Sequence, residues 1–97
     1  MLPPDISAYV AQHFAPAEHA GVMALLANAK QPGGDPADAR MLRCALFACD
    51  KTLATLQFDL EWLASDSRDV IMSGEFARKD GNWVQVRDLS QPFPSGA

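Results

Sequence analysis

The stretch EFARKDGNWVQVRD, residues 75–88, reads as a β-hairpin near the end of a chain whose first two thirds read as helix. Asp80-Gly81 is a two-residue hairpin signal, because both central residues of a type I′ turn need positive φ. A turn there sets Lys79 opposite Asn82, Arg78 opposite Trp83, Ala77 opposite Val84 and Glu75 opposite Val86, with strands over about 75–78 and 83–87. Side chains alternate along a strand, so Ala77, Val84 and Val86 share one face with Glu75 at its edge, and Phe76, Arg78, Trp83, Gln85 and Arg87 take the other. A lone hairpin is marginal in water. Val84 and Val86 are therefore expected to cover the third or fourth helix, leaving part of the Trp83 face and both strand edges open to pairing.

Upstream of the hairpin the apolar residues keep helical time. Pro3, Pro4 and Asp5 start a first helix, predicted over 4–14, in which Ile6, Val10 and Phe14 recur at spacing four. Pro16 and Glu18 start a second, 16–29, with Val22, Met23, Leu26 and Ala29 as its buried stripe. QPGGDP then breaks the helical run. Asp35 as cap and Pro36 as first helical residue predict a third helix over 35–49, apolar on nearly every side, with Arg40, Arg43 and Asp50 marking a polar edge. The fourth, 52–65, capped by Thr52 or Asp50, aims Leu53, Leu56, Leu60 and Leu63 at the core. Val70, Ile71 and Met72 are β-prone and leave 66–73 open to a strand, but a strand would hold Ser73 and Gly74 in its interior, so the favoured reading is a short fifth helix, 66–73, capped by Asp66 and ended by Gly74. Beyond the hairpin, residues 89–97 should run extended over the surface, with Phe93 as the pinned residue and the last four loose. The fold class is mainly α with an α+β ending: a single domain, 1–97, built as a four-helix bundle with a short fifth helix and a C-terminal β-hairpin.

Three segments, MLRCAL, RDVIMSGEF and VRDLSQPF, resemble those of a group of short bacterial proteins of unknown function. The resemblance implies no activity. It does imply that Arg68, Asp69, Gly74, Glu75, Arg87 and Asp88 form a recurring set.

Composition narrows the function classes. The chain is 48% hydrophobic and 21% charged, ordinary for a globular protein, with a net charge of −4 concentrated in the middle third. That balance offers no basic face for a phosphate backbone, so nucleic acid is not an expected partner. No apolar run reaches membrane-spanning length and the N-terminus lacks a signal-peptide pattern, so neither a membrane nor export is expected and the predicted location is cytoplasmic. Cys44 and Cys49 point about 140° apart on a helical wheel, against a mutual disulfide or shared metal. Packed, reduced thiols fit a reducing compartment.

Chemistry-bearing motifs are sparse. His13 and His19 flank the bend between the first two helices without metal-ligand spacing, and surface or capping roles are favoured for both. Neither cysteine has an identifiable base beside it, no Gly-x-Ser-x-Gly occurs, and PGGDP lacks a phosphate-binding pattern. Asp66, Asp69 and Glu75 are candidates to converge where the chain enters the hairpin. The favoured reading there is structural: Arg68 and Asp69 cross-pair with Arg87 and Asp88 as a clasp between the fifth helix and the outgoing strand. Phe58, Trp62 and Trp83 are read as core filling when taken singly, and together with Arg78 as a partner-binding patch. The leading functional expectation is a non-enzymatic protein-interaction module, such as an adaptor, an accessory subunit or an acidic inhibitor, acting on a protein partner or as a homodimer without a cofactor. The alternatives are a small-ligand-binding regulatory domain with a cavity between bundle and hairpin, and, third, a small enzyme using carboxylates.

Overall fold

The computed structural model describes residues 2–93, and within them the chain forms five α-helices and one antiparallel hairpin. The helices are α1 (Pro4–His13), α2 (His19–Ala27), α3 (Ala39–Ala48), α4 (Leu53–Ser65) and α5 (Ser67–Glu75), with a 3₁₀ turn at Pro16–Glu18 ahead of α2; the strands are β1 (Phe76–Lys79) and β2 (Asn82–Gln85). The expectation of loose final residues concerns positions outside the described part of the chain. No described helix is long and apolar enough to cross a membrane.

The periodic residues form the core as expected. Ile6, Val10 and Phe14 from α1 and its exit meet Val22 and Leu26 of α2, Leu42, Ala45 and Leu46 of α3, and Leu56, Leu60 and Leu63 of α4, all buried in one cluster. Helix termini follow the capping chemistry of the sequence with two revisions. Thr52 caps α4 in a reciprocal box with Thr55, and Asp66 caps α5 by accepting from the Arg68 amide at 3.0 Å. The third helix, however, starts at Ala39 rather than near Asp35, with Asp38 as the cap. The chain delays it because the PGGDP loop folds back on itself: the Gln31 amide donates to Asp35 O at 2.8 Å and the Ala37 amide to Ala29 O at 3.0 Å. Gly33 and Gly34, at φ 96° and 90°, supply the left-handed backbone that this turn needs.

The second revision concerns Gly74, which does not end α5 but lies inside it. There it lets α5 lie directly on α3. A Cβ at position 74 would stand 2.8 Å from both Cα and Cβ of Cys44 and 3.1 Å from its carbonyl oxygen, contacts that only backbone movement could relieve. The short fifth helix is thus a central packing element against α3, with Val70 buried between them and the core.

At the other end of α3, Lys51 adopts a left-handed conformation at φ 64°, which turns its ammonium back under the helix. Nζ donates to the carbonyls of Leu46, Phe47 and Cys49 at 2.7, 2.9 and 3.1 Å. A cation at this end of a helix satisfies orphan carbonyls and complements the helix dipole.

The hairpin has the predicted register: Arg78 pairs with Trp83 and Lys79 with Asn82, and Asp80 and Gly81 both take positive φ, 52° and 81°. Its docking is not the predicted one. Val84 is 40% exposed, every residue of β2 is exposed, and Val86 is only half-buried, so the valine face does not cover the third or fourth helix. The reason lies just outside the strands, where buried Glu75 and Leu89 hold the two ends of the hairpin and leave its tip projecting.

Substituting Gly74→Ala should lower folding stability by about 1–3 kcal/mol, the usual cost of forcing a methyl into a closed helix contact. A urea-denaturation midpoint equal to that of the parent would show that α3 and α5 do not approach as described.

Candidate functional site

Two arginines three residues apart on α3 organise the inner polar structure. Arg40 donates from Nε and Nη2 to the two carboxylate oxygens of Glu75, at 3.0 and 2.5 Å. Glu75 is completely buried, and each of its oxygens takes a second donor: Gln85 Nε2 at 3.3 Å and the Leu89 amide at 2.9 Å. Arg43, also buried, grips Asp5 of α1 through Nε and Nη2 at 2.8 and 3.1 Å, while Nη1 donates to the carbonyls of Leu89 and Ser90 at 3.2 and 3.4 Å. The Phe93 amide donates to the same Asp5 at 3.1 Å, and the Phe93 ring stacks on Tyr9 with centroids 4.2 Å apart. Among the described residues no buried side-chain nitrogen or oxygen is left without a hydrogen bond. Each pair joins one buried charge, Glu75 or Arg43, to a partner nearer the surface: the Arg40 side chain is 40% exposed and Asp5 is partly buried.

These pairs replace the expected clasp. Arg68 binds Asp66, its neighbour at the α5 cap, through Nε and Nη2 at 3.1 Å each. Asp69 accepts from the Trp62 indole at 3.2 Å. Arg87 donates to the Gly74 carbonyl at 2.7 Å and lies 4.1 Å over the Phe47 ring, and Asp88 folds onto Ser90. Asp66, Asp69 and Glu75 accordingly serve three separate partners rather than converging. Arg68, Asp69 and Asp88 take partners within two turns of chain, and Arg87 takes the Gly74 carbonyl across the root of the hairpin, whereas cross-pairing would have to order long exposed side chains. Arg40 and Arg43 are more than the polar edge that the spacing suggests, because each is closed by a carboxylate from a distant segment. Their signal was present: a helix apolar on nearly every side that carries two arginines three apart on one face needs carboxylates to meet them.

The aromatic residues read singly as core filling are at the surface. Phe58 is 65% exposed, Trp62 47% and Trp83 54%. Phe58 and Trp62 stand one turn apart on α4 and flank a groove of about 270 Å³ with Asp59, Asp69, Val70 and Ser73. A second hollow of similar size continues it past Phe58 towards Asp50 and Thr55. Asp59 has no hydrogen-bond or ion-pair partner among the described residues, and partial burial, reinforced by the Asp50 charge and offset by Lys51, pushes its carboxyl above the usual range. Three carboxylates thus line an aromatic-walled channel with no guanidinium or ammonium lining it. Arg78 and Trp83 are elsewhere, on the hairpin, where the guanidinium carbon lies 5.5 Å from the indole centroid.

Elsewhere, Tyr9, His13, Phe47, Arg87, Asp88, Leu89 and Phe93 line a mainly apolar cavity of about 470 Å³ between the bundle and the segment that follows the hairpin. The two thiols are held protonated by their surroundings. Burial first, and then the Glu75 charge, push the Cys44 thiol up to about 12, and burial also raises Cys49, so both thiols stay protonated at neutral pH. His19 donates to or accepts from its surroundings only at the Phe14 carbonyl, 2.8 Å away, which makes it the donor. No group of three or more histidine, cysteine, aspartate or glutamate residues among those described is placed to hold a metal ion.

Comparison of the chain with family models, with curated proteins and with solved structures gives no match, so the functional reading rests on the groove, the cavity and the hairpin themselves.

The Arg40 guanidinium, together with the Leu89 amide, holds the Glu75 carboxyl below its ordinary range, and Arg43 with the Phe93 amide does the same for Asp5. A carboxylate whose folded value is depressed stabilises the fold fully above its unfolded value, near pH 4, and loses that contribution as pH falls through the folded value. Urea midpoints should therefore be level near neutral pH and fall as the medium is acidified below about pH 4. Asp5→Asn and Glu75→Gln should each be less stable at neutral pH with a shallower acid slope. A slope unchanged in both variants would mean that these pairs do not control acid unfolding.

Proposed function

We propose that this protein is a non-enzymatic interaction module whose α4–α5 groove receives a partner segment carrying an apolar or aromatic anchor flanked by lysine or arginine. The observation that carries this reading is the pairing of exposed Phe58 and Trp62 with the unpartnered carboxylate of Asp59 in one channel. Large exposed aromatics one helical turn apart offer contact area at small entropic cost, the property that makes such residues interface anchors. Asp59 gains from a cation, because a positive charge beside it would offset the burial that now disfavours its ionised form. The acidic surplus of the chain would speed the approach of a basic partner. Acid–base catalysis is the weaker use of the same carboxylates: Asp69 is exposed and Asp59 half-exposed, so neither occupies the water-excluded pocket that such chemistry exploits.

A dye-labelled synthetic amphipathic peptide with a Leu anchor and flanking lysines, titrated with the full chain, should gain fluorescence anisotropy and bind more weakly as salt rises. Phe58→Ala and Trp62→Ala should each weaken it by at least about tenfold, and Asp59→Asn by several-fold. Equal binding by all three variants, or no binding by the parent, would refute the groove as the recognition site.

The cavity beside Phe93 supports a second reading, a domain that senses a small ligand, since its volume and apolar walls suit a compact planar molecule, with Arg87 available to a polar substituent beside the Asp88 carboxylate. Benzoate and indole-3-acetate are suitable probes. A rise in melting temperature that Phe47→Ala abolishes would support the reading, and flat melting curves with both probes would oppose it.

A further inference from the structure

The hairpin and the groove carry complementary chemistry, and within one chain nothing brings them together. The projecting arm presents Arg78 and Lys79 on β1, and Trp83 and Val84 on β2, all exposed. Arg78 packs its guanidinium against Trp83 and donates one hydrogen bond to the Gly81 carbonyl, so cation and indole already form a single amphipathic head. The groove presents the converse set: aromatic walls from Phe58 and Trp62, and carboxylates from Asp50, Asp59 and Asp69. The sequence places these features in different charge environments as well, because the acidic surplus lies in the middle third while the last third is neutral with its cations clustered around the hairpin.

From this complementarity we infer that the chain self-associates, with the Arg78–Trp83 head of one copy seated between Phe58 and Trp62 of a second copy and its cations against Asp59 and Asp69. The inference rests on the groove reading above and names its occupant. It accounts for two features that are costly in a single copy. A two-stranded hairpin with an entirely exposed second strand has little tertiary support, and a docking surface supplies it. Small domains with limited cores are also commonly stabilised by association. If both arms of a pair engage reciprocally, the contact is doubled by two-fold symmetry and each weak half is reinforced by the other.

Sedimentation velocity from micromolar to near-millimolar concentrations tests this on the full chain. The weight-average mass should rise with concentration, and added salt should shift the association to higher concentration. Trp83→Ala and Asp69→Lys should each raise the dissociation constant by at least about tenfold, since each removes one side of every contact. Both positions are exposed, and an unchanged far-ultraviolet circular dichroism spectrum shows that each variant is folded. Mixing the two variants gives the decisive comparison: the Asp69→Lys copy keeps its arm and the Trp83→Ala copy keeps its groove, so a mixed complex should form where neither variant associates alone. A parent that stays monomeric throughout, or an association that both variants leave intact, would overturn the inference. A monomeric parent that still takes the basic amphipathic peptide in its groove would overturn self-association alone, whereas failure of both would end the groove reading too.

Discussion

The peptide group of Leu89 is held on both sides: its amide donates to Glu75 and its carbonyl accepts from Arg43. Through that one residue, two ion pairs rooted on α3 tie α1, α5 and the segment following the hairpin into a single polar seam. Removing the outer partner of either pair, Arg40 or Asp5, leaves the buried charge of Glu75 or Arg43 uncompensated, at a cost of about 3–5 kcal/mol. The seam therefore acts as a constraint on geometry more than as a source of stability. Arg40 and Arg43 must face one way, Gly74 must let α5 close on α3, and the chain leaving β2 must return at the height of Leu89.

The shape of the outer surface follows from where that seam lies. Glu75 and Leu89 are buried at the root of the hairpin, so the arm is anchored at its base and its own valines are released from covering the bundle. Packing of α5 against α3 leaves a groove between α4 and α5, whose walls are Phe58 and Trp62 and whose floor includes Val70. An interaction surface and an interaction arm thus arise from the same set of packing decisions. Arg40 and Arg43 are engaged by Glu75 and Asp5, and Lys51, bonded to the carbonyls that end α3, only partly offsets the Asp59 charge; none of these cations lines the groove itself.

Periodic apolar spacing and turn chemistry made much of this fold legible. Ile6, Val10 and Phe14, the leucines of α4 and the Asp80-Gly81 turn each act through neighbours a few residues away, so sequence alone places them. The interior polar pairs were not legible, because Arg40 meets Glu75 and Arg43 meets Asp5 only after distant segments have packed. Gly74 illustrates the same boundary. A glycine near the end of a helical run reads as a terminator, and only the approach of Cys44 reveals that its missing side chain is used for contact instead. Of the partner-binding candidates, Phe58 and Trp62 fall together in one groove, while Arg78 and Trp83 fall together on the arm. Their division into two surfaces depends on how the hairpin is anchored, which its own sequence does not specify.

Native-state hydrogen exchange at the Leu89 amide tests the seam most directly. In the parent this amide should exchange only when the whole domain unfolds, with a protection free energy equal to that of the most protected amides of α3. In Glu75→Gln it should exchange through local release of the segment, well before α3 opens. A Leu89 amide that exchanges in the parent as fast as the exposed amides of β2 would contradict the account, because the segment would then be resting on the bundle rather than locked into it.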